Sequence, residues 1–278
     1  MFDKRVIILI SISGLVLIHS ACRRDGNNSN VPAGTQNSRD TKTVSKTAII
    51  WWDITRSLQE AEKDTGLDWA VKYISELPAG TNYYFLPIHS ETQRPAPLDN
   101  GVIPEVTSEE DRIRSQVRLK KRILDNVNKL KESIQADKGD AGYVQRDRRT
   151  CILNTINYSA SLVSNSPGQS LPEIIYISDM IEDCFHQRLR GGKGGYLQIT
   201  QTDIDTQIGL AESLPYEEGM KNARVTVAVP TATGGSAPYH RPDMEGLKKF
   251  WRAVFEKCGL KPENLHWTVG VPPTRAAK

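Results

Sequence analysis

Thr47-Ala48-Ile49-Ile50-Trp51-Trp52-Asp53-Ile54-Thr55-Arg56-Ser57 sets an unbroken apolar run directly against a cluster of oxygen-bearing side chains. A run without polar alternation suits a central strand buried on both faces of a parallel sheet. Asp53 ends the run, and hydroxyls follow at positions 55 and 57 on a turn into a helix. In an open parallel sheet the loops leaving the carboxyl ends of the strands form the binding crevice. The residue types at 53–57 therefore stand where such a fold meets its ligand.

Downstream, helical spacing predicts a helix over 57–77, with Leu58, Ala61, Trp69, Ala70, Tyr73 and Leu77 inward and an interruption at Gly66. Pro78-Ala79-Gly80 stops it, and 82–88 is rich in aromatic and apolar residues that favour a strand. Residues 90–108 make an irregular, proline-containing excursion with room for a short hairpin. The strongest helix follows over 108–135, with Ile113, Val117, Leu124, Val127, Leu130 or Lys131, and Ile134 on its inward stripe. Arg118, Lys120, Lys121 and Arg122 then form its solvated face, since no aromatics interleave them as a nucleic-acid surface would require.

Beyond a Gly, Asp and Arg-rich loop come a helix over 151–163, a strand over 173–178 closed by Asp179, a helix over 202–214, a strand over 224–229, a helix over 243–258 and an edge strand over 265–269. Strands alternating with helices imply an α/β fold: a doubly wound, mostly parallel sheet with helices on both faces. With no internal repeat and no second core, one domain over 47–273 accounts for the pattern, and 274–278 form a tail.

The N-terminus differs in kind. Lys4 and Arg5 precede an apolar run over 6–18 and then His19-Ser20-Ala21-Cys22, the layout of a secretory signal peptide over 1–21. The run is shorter than the roughly 20 residues of a transmembrane helix. Ser20, Ala21 and Cys22 resemble a bacterial lipobox, whose cysteine is lipidated and becomes the mature N-terminus; His19 departs from the apolar residue usual there. The resemblance implies a membrane-anchored protein of the bacterial cell envelope, held outside the cytoplasm through Cys22. Residues 22–46 are too polar to bury a core and read as a flexible tether.

At the strand ends the sequence resembles the von Willebrand factor A family. The metal-ion-dependent adhesion site of that family uses an Asp-x-Ser-x-Ser turn after the first strand, a threonine from a later loop and an aspartate after the fourth strand. Matched by position, Asp53, Thr55 and Ser57 are the first motif, Thr150 or its rival Thr155 the middle ligand, and Asp179 the last. Thr55 replaces the commoner serine but keeps the hydroxyl. Such hard oxygen ligands suit Mg²⁺, with Mn²⁺ or Ca²⁺ as alternatives. The resemblance implies a binding module that recognises an acidic residue of a protein or peptide partner, with Arg56 shaping the partner surface. The same topology would place Cys151 and Cys184 on one rim, where a disulfide would brace the loops. By themselves the residues leave three pairings open among Cys151, Cys184 and Cys258, and free buried thiols as well.

Two other readings stand beside this one: a metal-dependent hydrolase with Asp53 as nucleophile or ligand, and a metal-free scaffold in which Asp53, Thr55 and Ser57 cap the first helix. The hydrolase lacks the carboxylate two residues after the nucleophilic aspartate that its acid/base step requires, because position 55 is threonine. No other acid/base pair or nucleophile triad is visible. Beyond Asp179, the further carboxylates of 179–183 either support the site or, more simply, are solvated loop charges, and the glycine-rich stretch 190–195 is a loop without phosphate-binding spacing. The net charge of +3 is too small to imply a nucleic-acid partner.

Overall fold

Thr47–Asp53 forms β1, buried at all seven positions and hydrogen-bonded on both edges to parallel strands. The computed structural model describes residues 46–55, 57–90, 95–137, 150–164, 171–182, 184, 200–212, 218–230 and 244–270. The signal peptide, the tether up to residue 45, Cys22, Arg56, the stretch 190–195 and the tail lie outside those residues.

The sheet has six strands in the order β3-β2-β1-β4-β5-β6. Asn82–Ile88 (β2), Glu173–Ile177 (β4), Arg224–Val229 (β5) and Leu265–Val269 (β6) run parallel to β1, and Asp99–Val102 (β3) is antiparallel to β2. The helices are Glu60–Ser75 (α1), Glu109–Asp137 (α2), Ile152–Ser164 (α3), Gln201–Glu212 (α4) and Met244–Lys257 (α5). Alternate residues of a strand face opposite sides. Ala48, Ile50 and Trp52 accordingly pack with α1 and α2, whereas Ile49 and Trp51 pack with α3, α4 and α5. This is the doubly wound arrangement implied by the alternation of elements, and it explains why β1 is apolar without a break.

α1 departs from expectation at three points. It begins at Glu60, behind Gln59, whose backbone N–H donates to Glu62 Oε2 at 3.0 Å. Ser57 therefore lies outside the helix, and Ala61 is exposed. Gly66 does not interrupt the helix; it lets α1 approach β4, since a Cβ there would stand 2.7 Å from Ile177 Cγ2. Helix propensity favours alanine over glycine by up to about 1 kcal/mol. Overpacking costs about 1–3 kcal/mol. Gly66→Ala is therefore expected to lose about 1–2 kcal/mol in urea unfolding, and a gain in stability would show that the helix can back away from the sheet.

α2 differs as well. Ile113 and Val117 are 51% and 63% exposed, while Ile123 and Val127 are buried. A helix of 29 residues spans about 43 Å. A seven-residue strand covers about 23 Å, so α2 is longer than a strand can back along its whole length, and Ile113 and Val117 near its start are left largely exposed. Arg122 is exposed, as expected of the solvated face, but it is also bonded: Nε and Nη2 donate to Asp99 Oδ1 and Oδ2 at 2.9 and 3.0 Å, and Tyr83 donates to the same carboxylate at 2.7 Å. That contact fastens α2 to the β2–β3 edge.

Candidate functional site

The chain winds outward from β1 towards β3 on one side and from β4 towards β6 on the other. The gap between β1 and β4 is therefore the topological switch point, where crevices form at carboxyl ends of strands. Asp53 closes β1 there, and Ser178-Asp179 follows β4.

Asp53 is fully buried. Its Oδ1 accepts the backbone N–H of Thr55 at 2.9 Å and the Thr55 hydroxyl at 2.6 Å, and its Oδ2 accepts the Ser178 hydroxyl at 2.7 Å. Thr55 Oγ1 also lies 3.0 Å from Ser57 Oγ and 2.7 Å from Thr150 Oγ1. Three hydroxyls drawn from two loops thus converge beside one carboxylate. Asp179 is 5% exposed, and its Oδ1 accepts the N–H of Ile181 at 3.0 Å. Thr155 sits elsewhere, its hydroxyl against the Ile152 carbonyl at 2.6 Å and the Tyr176 hydroxyl at 3.0 Å in the core.

The helix-cap alternative does not describe Asp53, Thr55 and Ser57, because α1 starts three residues beyond Ser57 and is capped at Gln59. Nor is Asp53 in a solvated environment. Desolvation pushes its carboxyl above the ordinary aspartate value, opposed by the hydroxyl and N–H donors and by the attraction of Lys63. Lys63 makes its ion pair with Glu60, at 2.9 Å, so no cationic side chain among the described residues is bonded to Asp53.

The loop after β4 is held tightly. Met180 adopts φ 62°, the left-handed region that residues with a Cβ rarely enter. Its N–H donates to Ser178 Oγ at 2.9 Å, and its carbonyl accepts the indole N–H of Trp251 at 2.8 Å. Cys151 and Cys184 form a disulfide, with Cα atoms 5.1 Å apart, and Cys258 is a buried thiol outside any disulfide. Glu182 is not a solvated loop charge: it is fully buried and accepts the N–H groups of Ile152 and Leu153 at 2.6 and 2.9 Å. Sequence reasoning assigns Ser178 no part of its own, and of the two readings open for Glu182 the structure favours the supporting carboxylate over the solvated charge. The one signal available was that each adjoins Asp179 in a segment following a buried strand.

Among the described residues no group of three or more His, Cys, Asp and Glu side chains is placed to hold a metal ion. The cluster is instead hydroxyl-rich. Its oxygens are hard donors of the kind that suit Mg²⁺, Mn²⁺ or Ca²⁺, and among the described residues no cationic side chain is bonded to the buried Asp53, so the residues present fit a divalent cation.

No family model matches the chain, and no curated protein matches it. Among solved structures it is similar to a von Willebrand factor type A protein from Catenulispora acidiphila, at 11% identity and TM-score 0.40 over 82% of this chain and 39% of that one. It is also similar to the pilus adhesin SpaC from Lactobacillus rhamnosus GG, at 9% identity and TM-score 0.39 over 81% of this chain and 28% of that one. The chain spans well under half the length of either.

Proposed function

We propose that this chain is an exported, membrane-tethered binding module in which Asp53, Thr55, Ser57, Thr150 and Asp179 hold a divalent cation that receives an acidic side chain of a protein or peptide partner. The observation that carries the reading is the convergence of the Thr55, Ser57 and Thr150 hydroxyls beside the buried carboxylate of Asp53. Four of the five, matched from separate parts of the sequence, form one chain of hydrogen bonds at the switch point of the sheet, and Asp179 follows the neighbouring strand. A bound Mg²⁺ would supply an electrophile neutralised by only two protein carboxylates, with affinity left for a third from the partner.

Each residue has its part. Asp53 supplies a charge already stripped of water. Thr55, Ser57 and Thr150 supply neutral oxygens that do not quench the cation. Ser178 orients the Asp53 carboxylate by donating to Oδ2. Export and anchoring rest on the N-terminal charge and apolar pattern and on Cys22.

Calorimetric titration of Mg²⁺ and Mn²⁺ into the metal-stripped protein tests the site. Ser57→Ala removes one neutral ligand and is expected to weaken binding at least tenfold, about 1.4 kcal/mol. An acidic peptide should then bind only with the cation present. A wild-type protein that takes up neither ion would reduce the cluster to a hydrogen-bonded turn and sink the reading.

A further inference from the structure

We propose that Glu182 is a positioning residue of this site: together with the Cys151–Cys184 disulfide it clamps the loop after β4 to the first turn of α3 and so sets the Thr150 hydroxyl against that of Thr55. Its consequence for cation affinity rests on the metal-site reading above; the clamp itself does not.

The first N–H groups of a helix have no partner within it, and the positive end of the helix dipole lies there. Glu182 Oε2 meets both needs for α3 by accepting the N–H groups of Ile152 and Leu153. Its Oε1 accepts the N–H of Cys184 at 2.9 Å. The carboxyl group is fully buried, so these main-chain donors stand in for the water it has lost.

The covalent link closes the same gap. Cys151, the residue between Thr150 and Ile152, is bonded to Cys184, whose own N–H rests on Glu182. Two backbone steps separate Thr150 from the first amide held by Glu182, so the seat of α3 fixes where the Thr150 hydroxyl points. At the other end, Glu182 follows Ser178 and Asp179 by a few residues, and Ser178 is bonded to Asp53. Glu182 thus registers the loop after β4 to the start of α3, and the Ser178–Asp53 and Thr55–Thr150 contacts join both to the segment after β1.

Hydrogen exchange on the metal-free protein reads the clamp directly. Glu182→Ala is expected to speed exchange of the Ile152 and Leu153 amides at least tenfold. Glu182→Gln keeps one acceptor oxygen for those amides and loses the one facing Cys184, so its effect should move to the Cys184 amide; this variant also serves if Glu182→Ala fails to fold. Unchanged exchange at these amides in both variants would overturn the proposal. The second readout is Mn²⁺ affinity. Replacing a residue that orients metal ligands costs about 10–100-fold, and that loss is expected for Glu182→Ala, with partial rescue by Glu182→Gln. Thr155→Val, which removes a buried hydroxyl from the same helix, should lower the melting temperature without moving the Mn²⁺ affinity. Equal weakening by Thr155→Val, or unchanged affinity in Glu182→Ala, would reduce Glu182 to general support of the fold. A wild-type protein that does not bind Mn²⁺ would remove the metal reading, while the exchange rates still decide the clamp.

Discussion

Replacing Asp53 by asparagine is expected to abolish divalent-cation binding and, in the cation-free protein at pH 7, to raise the melting temperature. The two effects share one cause. The Asp53 carboxylate is buried beside hydroxyls, with no cationic side chain among the described residues bonded to it, so under the proposed function its charge would serve a cation and burden the fold without one. Desolvation raises the folded-state pKa above the ordinary aspartate value. A group raised in this way contributes stability that is fully present below its unfolded pKa, near 3.9, and is lost as pH rises through the folded value. Asp53→Asn removes that loss, keeps an acceptor for Thr55, and presents an N–H to the Ser178 oxygen. Its advantage should therefore be absent near pH 3 and grow as pH rises above the unfolded aspartate value. Millimolar Mg²⁺ should raise the melting temperature of the wild type and leave the variant unmoved. A variant less stable than the wild type at pH 7 without cation would mean that the hydrogen bonds to Asp53 outweigh the cost of burying its charge.

Trp51→Ala is expected to cost the fold about 3–5 kcal/mol, the range for deleting a large aromatic from a core. Trp51 is fully buried, and its indole N–H donates to Ser159 Oγ at 2.8 Å. It also meets Tyr158 edge-on, with ring centroids 5.9 Å apart. Truncation opens a cavity on the α3–α5 face and leaves the buried Ser159 hydroxyl without this partner. Domains of this kind are stable by about 5–15 kcal/mol, so the variant should unfold at much lower urea. Trp51→Phe keeps most of the volume and should cost about 1–3 kcal/mol, mainly for the lost hydrogen bond. Equal losses in the two variants would place the weight on the hydrogen bond rather than on packing.

The strands were legible because burial on both faces leaves a mark that needs no partner to be read: Ala48 to Trp52 and Ile174 to Ile177 are apolar at every step. Helix faces were less legible, since which stripe is buried depends on what lies opposite. Ile113 and Val117 obey the helical period as well as Val127 does, and the period does not tell that they are left largely exposed. Gly66 looked like a breaker because a close approach to Ile177 has no local signature.

In the candidate site, Asp53, Thr55 and Ser57 could be picked out as a spaced triplet and Thr150 as a hydroxyl just before a helix; the structure brings these four together. Which groups Glu182 supports could not be read, because its partners Ile152 and Leu153 lie about thirty residues earlier and offer only their backbone. A main-chain donor has no residue type to betray it.

The course of β1 has a mechanical consequence. The chain enters the sheet at Thr47 and reaches Asp53 six residues later, with β2 alongside the whole way and β4 alongside from Ala48 to Trp52. A pull applied at Asp53 against the incoming chain would run along the strand axis, and both ladders would bear it as shear, every rung loaded together. A strand pulled from one end across its neighbours would instead yield rung by rung. The central strand thus lies along the line of tension, like a rope spliced into its anchor.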